Sequence, residues 1–224
     1  MVSPFDEAFA LIQSGARGSQ MYPAGSTGAR RYNTSEGSFV GKRGAHPKHV
    51  LNEFDMNQYL NALGVGVPEA QLRNVGGSPL MLTRFEEGAE PLDFQRDREQ
   101  LREDYVPHAA IGNWDVIGME HDNVLHRPSG QLTYVDLGGT GDFRAQGGAK
   151  ANIGQPFTGQ VNELDTLQEH NRDAFGRMSE QDMGRSFDIY GGEDAMTQAL
   201  NAIRNPMTRN VMQQRVQDIA RRVA

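Results

Sequence analysis

Residues 112–147 read GNWDVIGMEHDNVLHRPSGQLTYVDLGGTGDFRAQG, and the reading of this stretch decides the fold. Two short strand-like segments each carry an oxygen donor at one end: Asn123 ahead of Val124-Leu125, and Asp136 after Val135. They stand 13 residues apart with the turn Arg127-Pro128-Ser129-Gly130 between them. That spacing predicts a β-hairpin which sets an amide oxygen beside a carboxylate. Asp115 stands 8 residues before Asn123, in a loop with the chain's only tryptophan, Trp114. A carboxylate to orient a hydroxyl, an amide, and a carboxylate opening an Asp-x-Gly turn form the set that phosphoryl transfer to a hydroxyl requires. Asp and Asn are also ordinary turn formers; the hairpin spacing is what raises these three above that.

Bulk composition narrows the class. A chain of 224 residues suits one large domain or two small lobes around a cleft. Its net charge of -7, with no cluster of five basic residues, disfavours a broad nucleic-acid face. With no cysteine, disulfides and thiolate metal sites are excluded. No apolar run approaches the roughly 18 residues of a membrane span. The first residues, Met1 to Glu7, lack the charged and apolar regions of a secretory signal peptide.

Periodicity supplies the remaining elements. Phe5, Phe9, Leu11 and Ile12 predict one helical face over 5–13. From Met21 to Lys42 the pattern is strand, Gly25-Ser26-Thr27-Gly28 turn, strand, turn at 33–37, strand. Val50, Phe54, Met56, Leu60 and Leu63 predict a helix over 47–63, closed by Gly64. Strands follow at 70–72 and 80–85, and Glu86-Glu87-Gly88 is the expected joint between lobes. A helix or helix pair over 93–110, a glycine-rich loop over 138–159, and helices over 164–175, 180–190 and 193–224 complete the reading.

The run NWD…DN.L…D.GG…FRAQG resembles the catalytic and metal-binding loops of the protein-kinase-like superfamily. The likeness is to its atypical branch, which includes HipA-like, actin-fragmin-type and phosphoinositide kinases, and to small kinase-like domains of bacteria and phage. The run covers about a sixth of the chain. The resemblance implies an α+β, two-lobed fold: residues 1–87 as a small antiparallel-sheet lobe with one helix, and 88–224 as a mainly helical lobe. It implies an ATP-dependent kinase using Mg²⁺, or Mn²⁺ in its place. A protein Ser/Thr acceptor is expected, with a role as a bacterial or phage effector, cytoplasmic or delivered into a host without a classical signal peptide. Two alternatives stand beside it: a non-catalytic kinase-like module of a phage or secreted assembly, and an AMP-transferase on the same fold.

The site residues follow from the same resemblance. Asp115 would act as base, and Asn123 and Asp136 would hold the metal. Lys42, held by Glu53, would bind phosphates, with Lys48 as the rival lysine. Backbone N–H groups of Gly25, Ser26, Thr27 and Gly28 would approach phosphates, and Arg30 and Arg31 follow that turn, where exposure is the default. Residues 82–86 would meet the adenine edge, and 143–147 would shape the acceptor side or brace the metal loop. Ordinary kinases place the Asn five residues after the catalytic Asp, whereas here the gap is eight, so Val116 to Met119 are expected to loop out. Asp122 is the rival base; in a strand beside Asn123 it would face the opposite way.

Overall fold

Alternation in the first third of the chain builds a five-stranded antiparallel sheet in the order β1-β2-β3-β5-β4. Its strands are β1 (Ser19–Gln20), β2 (Arg30–Thr34), β3 (Gly37–Lys42), β4 (Ala70–Val75) and β5 (Ser78–Arg84). The computed structural model describes residues 3–21, 28–150 and 163–223. The expected turn residues Gly25, Ser26 and Thr27 therefore lie outside the described residues, while Gly28, at φ +70°, lies inside them.

Register decides which side chains face where. Phe39 pairs with Arg84 and Gly41 with Leu82, while Val40 pairs with Thr83 and Lys42 with Met81. One face is thus Phe39, Leu80 and Leu82, covered by α1 (Pro4–Gln13) through Phe5, Ala8, Phe9 and Ile12. Ser3 and Asp6 cap this helix reciprocally. Leu11, expected on the same face, stands outside the cluster. The other face presents Val40, Lys42 and Thr83 to the cleft.

The helix α2 (Pro47–Leu63) starts with proline in its first turn and ends at Gly64 in the left-handed conformation. It is buried on nearly every side. Val50, Met56, Tyr59 and Leu60 are buried, and so are the polar His49, Asn52, Glu53, Asp55 and Asn57. Such a helix lies between two bodies and has little free surface.

The rest is helical around a second sheet, β6 (Glu90–Pro91), β7 (Val124–His126) and β8 (Leu132–Tyr134). The hairpin predicted between Asn123 and Asp136 is β7–β8. Its helices are α3 (Phe94–Glu103), α4 (Tyr105–Ala110), α5 (Glu163–His170), α6 (Arg172–Phe175), α7 (Glu180–Ile189), α8 (Gly192–Ala199) and α9 (Pro206–Val223). Two expectations are corrected. The single helix over 164–175 breaks at Asn171, whose Oδ1 accepts from the Val116 N–H at 3.0 Å and so serves another loop. The helix over 193–224 breaks at Ile203, which is extended ahead of Pro206. Among the described residues no helix is long and apolar enough to cross a membrane.

The two sheets are tied at the expected joint. Arg127 donates to both Glu86 oxygens at 2.8 and 2.6 Å and to the Val67 carbonyl at 3.0 Å. The Tyr134 N–H donates to the Gly66 carbonyl at 2.9 Å. The approach is so close that a Cβ on Gly66 would lie 1.9 Å from the Leu132 oxygen.

Beneath this joint Asp104 is buried, accepting from the hydroxyls of Tyr134 at 2.7 Å and of Tyr190. Burial pushes its pKa from 3.8 up to about 6, with the two hydroxyls opposing. The penalty for ionising it is absent below pH 3.8 and complete above pH 6, so this group lowers stability as pH rises through that window. Asp104→Asn keeps an acceptor and removes the charge. Melting curves from pH 4 to 7 should show the variant gaining on the parent by up to about 3 kcal/mol as pH rises. A constant difference across that range would refute the assignment.

Candidate active site

The cleft lies between the inner face of the five-stranded sheet and the β7–β8 hairpin, and encloses about 660 Å³ including its open mouth. Its walls are apolar at Met21, Ala29, Val40, Leu125 and Val135. Thr83, Arg84, Phe85, Glu86 and Lys42 from the sheet line it, together with Asp122, Asn123 and Asp136 from the second lobe. Apolar walls with a few convergent polar groups suit a small-molecule ligand.

Lys42 ends β3 on the face that looks into this cleft and is 5% exposed. Its ammonium donates to Glu53 Oε1 at 2.8 Å and to the Val135 carbonyl at 3.3 Å, and sits 3.4 Å from Asp136 Oδ1. Burial works against the charge, but Asp136 and Glu53 outweigh it and hold the ammonium well above its usual pKa. Lys48 is exposed and lines a separate groove with Leu51, Asp55 and Met207. The structure thus brings Lys42, not Lys48, to Glu53. Arg31 stacks over Phe85 at 3.9 Å and pairs with Glu87, and Arg30 donates to the Gly18 carbonyl. Neither is among the cleft-lining residues.

Asp115 sits in a heavily braced loop. Asn113 Oδ1 accepts from the Asp115 N–H at 3.1 Å, and its Nδ2 donates to His108 Nδ1 at 3.1 Å. Burial pushes His108 down to about 3, so it serves as a neutral acceptor. Trp114 Nε1 donates to Glu163 at 3.1 Å, and its ring stacks on His170 and carries the Lys150 ammonium on one face. Lys150 also donates to the Gly112 carbonyl, and burial lowers its pKa to about 7. Glu163 is held in turn by buried Arg215 at 3.1 Å.

The eight-residue gap is not a simple loop-out. Val116 and Ile117 turn into the core, Gly118 takes φ +74°, and Met119 to Asp122 are exposed. The chain then returns so that Asn123 Nδ2 donates to the Asp115 carbonyl at 2.8 Å. That leaves Asn123 Oδ1 without a donor among the described residues. Asp122 is corrected: the strand begins only at Val124, so strand alternation does not apply, and Asp122 lines the same cleft as Asn123. His121, at φ 59°, packs its ring on Phe94.

Asp136 opens the next loop, its Oδ1 accepting from the Gly138 N–H at 2.9 Å. A Cβ on Gly139 would lie 2.9 Å from the Asp115 Cβ, so the Asp115 loop and the Asp136 loop touch directly. Burial first, then the charges of Asp136 and Asp122, raise the pKa of Asp115. The donor set suits a hard cation: one amide oxygen and one carboxylate beside a fixed ammonium. Among the described residues no three His, Cys, Asp or Glu side chains could hold a metal by themselves. Phosphate oxygens and water would have to complete the shell.

Sequence reading missed His49 and Asn52, which reach this loop from α2; their spacing from Glu53, one helical turn and one residue, was the available signal. It also missed Asn171, Glu163, Lys150 and Arg215, which lie far from Asp115 in sequence.

No family model matches the chain, and no curated protein matches its sequence. Among solved structures, the chain is similar to the Helicobacter pylori proinflammatory kinase CtkA, at 10% identity and a TM-score of 0.56. The match covers 90% of this chain and 89% of that one. At that identity the likeness concerns the fold: an α+β, two-lobed, kinase-like architecture.

The buried ion pair has a testable cost. Lys42→Met leaves Glu53, 2% exposed, without its ammonium and should lose about 3 kcal/mol in urea denaturation. Lys42→Met combined with Glu53→Leu should recover most of that loss. A double-variant loss equal to the sum of the separate Lys42→Met and Glu53→Leu losses would mean that the pair is not energetically coupled.

Proposed function

We propose that this chain is an ATP- and Mg²⁺-dependent kinase that transfers the γ-phosphoryl group to a hydroxyl. The observation that carries the reading is the Lys42 ammonium held between Glu53 and Asp136 in a cleft that also holds Asn123, with Asp115 one hydrogen bond away. In this reading residues 1–87 form the nucleotide-binding lobe and 88–224 the catalytic lobe. The kinase-like fold shared with CtkA supports it.

In that reading the adenine edge, expected at 82–86, is met by 83–86, because Leu82 faces α1 and not the cleft, and Lys42 pairs with phosphate oxygens. Gly25, Ser26, Thr27 and Gly28 would cover the phosphates with backbone N–H groups. Asn123 Oδ1 and Asp136 would hold the metal, which neutralises charge on the transferred group when bound. Asp115 orients the acceptor hydroxyl and accepts its proton as the oxygen–phosphorus bond forms and ADP leaves. Its raised pKa favours that late transfer. The acceptor in this reading is a protein Ser/Thr hydroxyl.

Mg-ATP should raise the melting temperature; at a hundredfold excess over Kd the stabilisation is about 2.7 kcal/mol. No shift at millimolar Mg-ATP or Mn-ATP would sink the reading and favour a non-catalytic module. Mass spectrometry after incubation with ATP and a mixed protein acceptor should show a phosphoryl gain; an AMP gain would reassign the reaction.

The roles divide by variant. Asp136→Ala should abolish metal-dependent turnover with the fold intact. Asp115→Asn should cut the rate by about 10²–10⁴ while sparing ATP binding, and Asp122→Asn should do much less. The reverse ranking in a side-by-side rate assay would make Asp122 the base.

A further inference from the structure

One face of α2 carries three buried polar side chains, His49, Asn52 and Glu53, exposed by 0%, 9% and 2%. Glu53 fixes Lys42, as described. The other two reach the loop that follows Asp136. His49 Nδ1 accepts from the Ala45 N–H at 3.2 Å, so its proton lies on Nε2, which donates to the Gly138 carbonyl at 2.9 Å. Asn52 Nδ2 donates to the Thr140 carbonyl at 3.0 Å. Thr140 Oγ1 in turn donates to the Leu137 carbonyl at 2.6 Å, and the Gly138 N–H donates to Asp136.

The loop is shaped to these side chains. A Cβ on Gly138 would lie 3.1 Å from Asp136 Oδ1 and 3.2 Å from His49 Nε2. On Gly141 it would lie 2.3 Å from Asn52 Oδ1. Helix-to-loop packing alone needs only apolar side chains; burying an imidazole and an amide costs free energy unless each meets a specific partner. Here both partners are carbonyls of the loop that carries Asp136. The contact extends outward through His46, whose ring meets Phe143 at 5.1 Å and whose Nε2 lies 3.2 Å from the Gly147 oxygen.

We infer that His49 and Asn52 are positioning residues that hold the Asp136 loop in its metal-binding geometry, so that one helix sets both Lys42 and the metal ligand. The inference rests on the kinase reading. It treats His49 and Asn52 as the outer shell of the metal site, where removal of such partners weakens metal binding by about 10–100-fold.

The test follows Mn²⁺ binding to the full chain with a non-hydrolysable ATP analogue, by electron paramagnetic resonance, beside analogue binding in EDTA. His49→Leu should weaken Mn²⁺ about tenfold or more and leave metal-free analogue binding within about twofold of the parent, because Lys42 and Glu53 are intact. His49→Gln, which keeps a terminal N–H donor, should regain most of the loss; a merely structural role predicts no such rescue. If His49→Leu does not fold, Asn52→Asp, equal in size and lacking the donor, carries the same measurement. Parent-like Mn²⁺ affinity in the folded variants overturns the inference and leaves the kinase reading standing. Failure of the parent itself to bind Mn²⁺ with the analogue overturns both.

Discussion

The structure depends on one buried charge. An ammonium at 5% exposure is tolerable only because two carboxylates from different parts of the chain converge on it. Glu53 comes from α2 and Asp136 from the loop after β8, so the ion pair joins sheet, helix and second lobe at a single point. Remove Lys42 or Glu53 and the other is stranded in a low-dielectric cleft, whereas the more exposed Asp136 can be removed and leave the Lys42–Glu53 pair in place. The geometry around them is therefore over-determined: α2 is buried on nearly all sides, and the loop's glycines admit the backbone within van der Waals contact of its neighbours.

Much of this was legible in the sequence because the signals are local. Alternation placed β2, β3 and β5, the 3.6-residue period placed α1 and α2, and the turn at 127–130 placed the β7–β8 hairpin. Asn123 and Asp136 fall where that hairpin puts them, lining one cleft. Lys42 was separable from Lys48 only by structure. Both lysines stand near the start of α2, and the choice turns on strand register, which sets Lys42 opposite Met81 on the cleft side.

What escaped reading is long-range. Asn171 interrupts a helix to hold Val116 and Asn113 from more than 50 residues away, and no propensity encodes that. The opposite facing of Asp122 and Asn123 held only if the strand already included them; it begins at Val124, so alternation does not separate the two. The helix over 193–224 failed for a local reason, since Pro206 in the sequence already marked the break.

The contact at Gly66 has a consequence for how the chain acquires its structure. Gly66 and Val67 follow α2 directly, yet their carbonyls accept from Tyr134 and Arg127, 68 and 60 residues later. The β7–β8 hairpin seats on the segment after α2, whose path is also held by Asn57 donating to the Pro68 carbonyl and by the Arg84 N–H donating to the Glu69 carbonyl. The lobes are thus kinetically interdependent: closing so long a loop precedes its reward, which slows folding and leaves apolar strand surface open meanwhile. The cleft between them is complete only once that long loop has closed.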